Sequence, residues 1–342
     1  MRIALLWMLL MILSGCTTLQ WYGQAVHGQL DLMARRESIE QMIADQDTPD
    51  QLRIRLQQVL AIRVFASEQL GLPDNDSYTR YVDLQREAVV WNVIAAPEFS
   101  VQPVTWCYPL VGCLAYRGWF KQERADREAR KLSEGGLDAR VAPVPAYSTL
   151  GRFEDPVTSV MLRWDEAALA GLIFHELAHQ VVFVPGETMF NEAYATAVER
   201  AGVARWLHHQ GDKAALNAWQ QQLAARQHLI KLLLATRQRL DDVYSIDLGP
   251  DILGPVKQIG FGQLRYDYQQ WAEQNETDPY AGFFARSINN ADLALVATYE
   301  AGVHAFDALL AEYDHDLIRF HSAVAELAEA SAEERAAFLN QP

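Results

Sequence analysis

Apolar residues recur at helical spacing over most of this chain. Leu30, Met33, Ile39 and Ile43, then Leu52, Leu56, Leu60 and Val64, predict helices between about Gln20 and Gly71. Thr48-Pro49 starts the second of these, and Gly71 with Pro73 stops it. Tyr78 to Trp91 reads as a third helix, or as a helix running into a strand. Val101 to Tyr116 is aromatic and β-branched with Pro and Gly interruptions, which predicts strands and loop. Trp119 to Leu132 is a charged helix followed by Gly135-Gly136. Ala139 to Tyr147 alternates, and its prolines confine it to a sheet edge because they have no N–H to give a ladder. Thr158 to Trp164 adds a further strand. From Asp165, a plausible N-cap, the pattern is nearly all helix: Glu192 to Gln210, Lys213 to Leu240, about Pro255 to Trp271, Asn290 to Tyr313 and His315 to Ala328. The fold class expected is α+β and mostly α-helical, with a small sheet beside the central helices and no internal repeat.

One stretch is not amphipathic. Ala167 to Phe183 is apolar nearly all round, through Leu169, Leu172, Ile173, Phe174, Leu177, Val181, Val182 and Phe183, which predicts a buried helix. Inside it stands His175-Glu176-Leu177-Ala178-His179, with almost nothing else polar. Positions i and i+4 share a helix face, so both imidazoles point the same way and can share one Zn²⁺. Glu176 lies one residue round, within reach of a water on that ion. Leaving two His and a Glu buried without partners costs on the order of several kcal/mol, and a metal removes that cost. The plainer alternative is a helix with two core histidines, each bonded to a carbonyl.

A second helical pattern opens at Asn191-Glu192, after a short turn centred on Pro185-Gly186. Helices joined so closely pack antiparallel, which brings Glu192 back toward the histidines. Two His and one carboxylate, with a fourth position for water, are the ligands of a hydrolytic zinc site. Glu199 is the alternative third ligand. It lies two turns along the same face, and whichever Glu misses the metal orients a ligating His. His208, His209 and His228 lack ligand spacing and read as solvated, and Asp241, Asp242, Asp247 and Asp251 lack the spacing of a calcium loop.

Composition narrows the classes. Half of the 342 residues are hydrophobic, enough for a large core. The net charge of −15 argues against a nucleic-acid partner and against electrostatic docking on anionic lipid. No stretch beyond the N-terminus is apolar enough to span a membrane.

His-Glu-x-x-His followed by Asn-Glu-Ala resembles the gluzincin, thermolysin-like metallopeptidases. The chain as a whole resembles a bacterial family of lipoproteins labelled putative aminopeptidases. The matching segments are Trp106-Cys107-Tyr108-Pro109, Gly112-Cys113, Tyr116-Arg117-Gly118, Asp155-Pro156, His175 to Gln180, Asn191-Glu192 with Tyr194-Ala195, and Asn289-Asn290-Ala291. One departure from the thermolysin pattern is clear. There the third ligand lies further along, with an Asp four residues beyond it. Here Glu192 follows His179 by thirteen residues and the later position is Thr196, whereas Glu199 follows by twenty.

The resemblance implies a zinc peptidase acting on a peptide substrate, an aminopeptidase by its label. In that chemistry Glu176 takes the proton of the attacking water and passes it to the leaving amine. A donor must face the developing oxyanion. Tyr299, Tyr194, Arg117 and Arg286 are candidates. Tyr299 is favoured because Asn289-Asn290-Ala291 leads a helix toward it, and the alternative for it is a core aromatic. An aminopeptidase also needs a carboxylate for the substrate ammonium, for which Glu187 and Glu199 are candidates. Two other classes stay open: a zinc endopeptidase or hydrolase of another envelope amide or ester, and a non-catalytic envelope scaffold with structural zinc.

The resemblance extends to the N-terminus. Arg2 is a short basic region, Ile3 to Leu13 is apolar but short for a bilayer span, and Leu13-Ser14-Gly15-Cys16 has the pattern of a bacterial lipobox. This implies a signal peptide over residues 1–15, lipidation of Cys16, and a periplasm-facing membrane anchor. Thr17, where an Asp would signal inner-membrane retention, favours the outer membrane. The alternative is a signal anchor. With Cys16 lipidated, Cys107 and Cys113 remain as a disulfide pair in an oxidising compartment, or as two free buried thiols. Residues 16–342 are expected to form one α-rich domain, or one in which residues 16–75 stand as a separate helical lobe.

Overall fold

A computed structural model describes residues 19–109, 112–146, 149, 151, 153–294, 296 and 302–341. The segment 1–15, Cys16 and Tyr299 lie outside the described residues. The chain begins with helix α1 (19–34), strand β1 (Glu37–Ser38) and helices α2 (Ile39–Ala44) and α3 (Asp50–Leu70). Helix α3 ends where the sequence reading places its stop. Gly71 takes the left-handed φ of 68° and caps the helix through its N–H to Ala66 O. The buried stripe of α3 is Leu56, Val59, Ile62, Phe65, Ala66 and Leu70, and Val64 points to solvent.

The helix expected over Tyr78 to Trp91 is not formed. Strand β2 (Arg80–Val82) pairs with β1, a polar turn follows, and strand β3 (Val90–Pro97) begins. Strands β4 (Trp106–Tyr108), β5 (Gly112–Leu114) and β6 (Arg117–Trp119), helix α4 (Gln122–Glu134), and strands β7 (Leu137–Val144) and β8 (Val157–Thr158) come next. Strand β3 is the centre of a sheet ordered β6-β3-β7. Trp91 and Val93 pack on α4 on one face. Ile94 and Ala96 face the other way, toward Tyr116, Ala142, Ala291 and Ala294. Burial on both faces removes the alternation that would mark a strand, so the run reads equally well as helix.

The edge assignment for the proline-containing segment holds. Ala139 O turns outward and accepts from Asn289 Nδ2 at 3.4 Å. Pro143 shares its parity and sits where no N–H is needed. Strands β4 and β5 form a hairpin closed by the Cys107–Cys113 disulfide.

Beyond the sheet the chain is helical: α5 (Glu166–Val181), α6 (Thr188–His209), α7 (Lys213–Tyr244), α8 (Pro250–Gln274), α9 (Ala281–Ala285), α10 (Asn290–Ala294), α11 (Val303–Glu312), α12 (Leu317–Ala328) and α13 (Ala332–Leu339). Helix α5 starts on Asp165, whose Oδ1 accepts from Ala168 N at 2.8 Å. The helix expected over Asn290 to Tyr313 is not continuous. Gly302, which has φ 85°, breaks it, and α11 starts there. The Asn289-Asn290 pair at the start of α10 clasps the sheet. Asn290 Nδ2 donates to Glu98 O and its N–H to Asp138 Oδ2, both at 2.8 Å, and Lys257 Nζ shares Asp138 at 2.7 Å.

The main core joins α3, α5, α6, α11 and α12. Helices α5 and α6 pack closely at Gly202 of α6. A Cβ there would lie 2.7 Å from Phe174 Cδ2 and 2.9 Å from Leu70 Cδ1. We expect Gly202→Ala to overpack this contact and cost about 1–3 kcal/mol in urea unfolding. An unchanged midpoint would mean that Phe174 and Leu70 yield freely. No helix among the described residues is long and apolar enough to cross a membrane.

Candidate metal centre

The site is built by α5, α6 and the turn between them. In that turn Glu187 N donates to Val184 O at 3.2 Å, with Pro185 and then Gly186 at φ 85° between them. Pro followed by a positive-φ Gly is the requirement of a type II turn. Asn191 locks it. Its Oδ1 accepts from Val184 N and its Nδ2 donates to Val184 O, both at 2.8 Å. The residue after this lock is Glu192, one position round on α6, facing α5.

The side chains converge there. His175 Nε2 and His179 Nε2 are 3.2 Å apart. Glu192 Oε2 lies 3.3 Å from the first and Glu192 Oε1 3.7 Å from the second. These three residues can hold a metal ion, since one donor atom from each falls within 4.8 Å of the others. Glu199, two turns on, reaches the other nitrogen of His175, with Oε2 3.1 Å from Nδ1. Gly171 makes room for it, because a Cβ there would press on Glu199 Cγ at 3.3 Å. The structure therefore places Glu192 toward the shared centre and Glu199 behind His175. His179 Nδ1 is buried with no hydrogen-bond partner among the described residues.

The charges fit a cation. Two imidazole nitrogens facing each other beside a carboxylate need positive charge between them. Burial works to lower His175, but Glu192 and Glu199 outweigh it and push it up to about 10. Burial, then the neighbouring His175 charge, lowers His179 to about 4. Burial alone would raise Glu192 and Glu199, and their bonds to His175 lower both instead. The protein alone thus holds one proton in the place where the donor set suits a metal ion. Glu176 differs from the other carboxylates. Burial pushes it up to about 7, against His175 and with help from Glu192, Asp155 and Glu199. A carboxylate near neutrality is suited to taking and returning a proton at working pH.

Several expected residues are occupied elsewhere. Tyr194 is buried with its hydroxyl 2.8 Å from His321 Nδ1. Arg117 donates to Tyr108 Oη and to Glu128, both at 2.8 Å. Arg286 pairs with Asp292 at 2.8 Å. Glu187 is held by Arg335, with Nε to Oε2 at 3.0 Å. Two tyrosines missed by the sequence reading stand near the site. The Glu192 and Glu176 charges bear on the Tyr116 hydroxyl, and burial is the first cause that raises it. Tyr78 is buried with Glu176 and Asp155 as its charged carboxylate neighbours. Tyr116 stands beside Arg117-Gly118, a segment the reading quoted, but a tyrosine outside helix and strand has no periodicity to aim it.

A family model described as "Putative aminopeptidase" matches residues 20–339. No curated protein and no solved structure matches the chain.

Proposed function

The chain belongs to the putative aminopeptidase family, and from that premise we propose that it is a zinc-dependent peptidase that removes residues from the N-terminus of peptides. The observation that carries this reading is the convergence of His175, His179 and Glu192 on one point, with Glu176 on the turn between the two histidines. A zinc ion held by those three would acidify a water and polarise the scissile carbonyl. Glu176 accepts the proton of the attacking water and returns it to the leaving amine. Glu199 holds His175 in one tautomer and orientation. With Arg117, Tyr194 and Arg286 engaged elsewhere, Tyr116 is the candidate we propose as donor for the developing oxyanion. It is the tyrosine on which both Glu176 and Glu192 bear. Tyr299 stays a proposal of the sequence reading.

One observation favours a second reading, an endopeptidase. Both carboxylates considered for the substrate ammonium are engaged, Glu187 with Arg335 and Glu199 with His175. The deciding experiment offers purified protein the same peptides with free and acetylated N-termini, with and without chelator. We expect chelator-sensitive release of the first residue, with free-amine peptides preferred by at least about tenfold. Equal cleavage of acetylated peptides at internal bonds replaces the exo assignment with the endopeptidase. Absent cleavage removes the peptidase reading and leaves the scaffold, and chelator-resistant cleavage removes the zinc from the mechanism.

We also propose that the protein is a lipoprotein of the bacterial envelope. The support is the Leu13-Ser14-Gly15-Cys16 pattern after a short apolar run, and a Cys107–Cys113 disulfide suited to an oxidising compartment. Cys16→Ala is expected to release the protein from the membrane fraction or leave it unprocessed, because the lipidated N-terminus supplies the anchor. Mass spectrometry of wild-type protein with an intact Met1 would overturn this.

A further inference from the structure

Tyr78 combines three features that rarely meet in one residue. Its backbone is left-handed, with φ 64°, where a bulky side chain is strained. The other non-glycine residues with positive φ among those described are Gln85, Glu276, Asp314 and His315, all exposed and polar. Tyr78 instead is 1% exposed and packed in the main core. Its hydroxyl, although buried, has no hydrogen-bond partner among the described residues. A strained aromatic carrying an unmatched donor costs stability twice, so the fold must hold it there.

The fold does so deliberately. Tyr78 N donates to Asp155 O at 2.7 Å. Arg63, 5% exposed, donates to the carbonyls of Pro73, Asn75 and Ser77 and so fixes the loop that precedes Tyr78. The same loop is tied to α5. Asn75 Nδ2 donates to Gln180 Oε1 at 2.7 Å, and Gln180 Nε2 donates to Ser77 Oγ at 3.3 Å. Gln180 is four residues after Glu176, one turn along the same helix face. The loop thus carries Tyr78 to the Glu176 side of α5.

Two carboxylates act on the hydroxyl there, Glu176 and Asp155. Asp155 is already satisfied, since its Oδ2 accepts from Thr149 N and its Oδ1 from Thr149 Oγ1, both at 2.8 Å. The Glu176 carboxylate accepts no hydrogen bond from any described residue. A buried donor without an acceptor therefore lies in the field of the Glu176 carboxylate, on the side of α5 to which the Asn75–Ser77 loop is tied. We infer that Tyr78 is a positioning residue for Glu176: its hydroxyl donates toward the Glu176 carboxylate through one bound water and holds it on the line of the attacking water. This rests on the reading of Glu176 as the proton acceptor.

The test is a double-mutant cycle of Tyr78→Phe and Glu176→Gln, measured in two ways. In zinc-loaded protein we expect Tyr78→Phe to keep its metal and its KM within about twofold and to lower kcat by about tenfold or more. In the Glu176→Gln background the same change should lower residual turnover no further. In metal-free protein, urea unfolding should be non-additive by about tenfold in the folding equilibrium constant. Coupling in unfolding with no turnover by the wild type would keep the contact and overturn the peptidase reading instead. An unchanged kcat with additive unfolding overturns the inference. So does a kcat that falls only in proportion to lost zinc or lost folded protein.

Discussion

Under the proposed mechanism, Glu176→Gln is expected to keep bound zinc and to lose turnover by about 10²–10⁴-fold. The substitution keeps the shape of the side chain and removes its ability to take a proton. Nothing that builds the metal centre is touched. His175 is oriented by Glu199 at 3.1 Å, and Glu192 reaches the centre from the other helix. Glu176 contributes through its position and its proton affinity, which burial raises to about 7. An amide in its place has neither, while a metal held by His175, His179 and Glu192 would still polarise the carbonyl, so a residual rate is expected rather than none. The result is read from single-turnover kinetics, with metal content and thermal unfolding measured on the same sample. A wild-type rate in Glu176→Gln would show that the proton goes elsewhere, and the mechanism proposed above would fall. A variant that loses its metal as well would instead show Glu176 to be part of the binding site.

How far the sequence led depends on whether a residue sits in a repeating pattern. Helix α5 was legible because its apolar run is long and its two histidines stand at i and i+4. The turn into α6 was legible because Pro185-Gly186 has one common conformation, and its observed φ agrees. Together these put Glu192 and Glu199 on the face toward α5 from the sequence alone. The edge position of β7 followed from its prolines.

The misses share a cause. Strand β3 is buried on both faces, by α4 and by α10, so its pattern carries no period. The Asn289-Asn290-Ala291 segment does work that no sequence pattern marks. It clasps Asp138 and Glu98 by side-chain bonds, and Gly302 precedes a separate helix. Tyr78 and Tyr116 approach the centre from outside the helices, where direction is set by long-range contacts such as Arg63 to the Pro73–Ser77 loop.

The second large effect separates the two glutamates of α6. Glu192→Ala should lose metal binding almost entirely, whereas Glu199→Ala should weaken it by about 10–100-fold. Glu192 is the carboxylate that faces both Nε2 atoms, at 3.3 and 3.7 Å. Without it two imidazoles remain, fewer protein ligands than a catalytic zinc site uses. Glu199 touches the far nitrogen of His175 and no other ligand atom. Its removal leaves the donor set complete but frees the imidazole to turn and lowers its basicity. The spacing of thirteen residues from His179 to Glu192, against twenty to Glu199, had left both possible on sequence grounds. The geometry ranks them, and zinc affinity measured by competition with a chelator of known strength decides. If Glu199→Ala loses the metal and Glu192→Ala keeps it, helix α6 presents its second glutamate to the ion. The site would then follow the thermolysin spacing after all, with Glu192 as the outer partner.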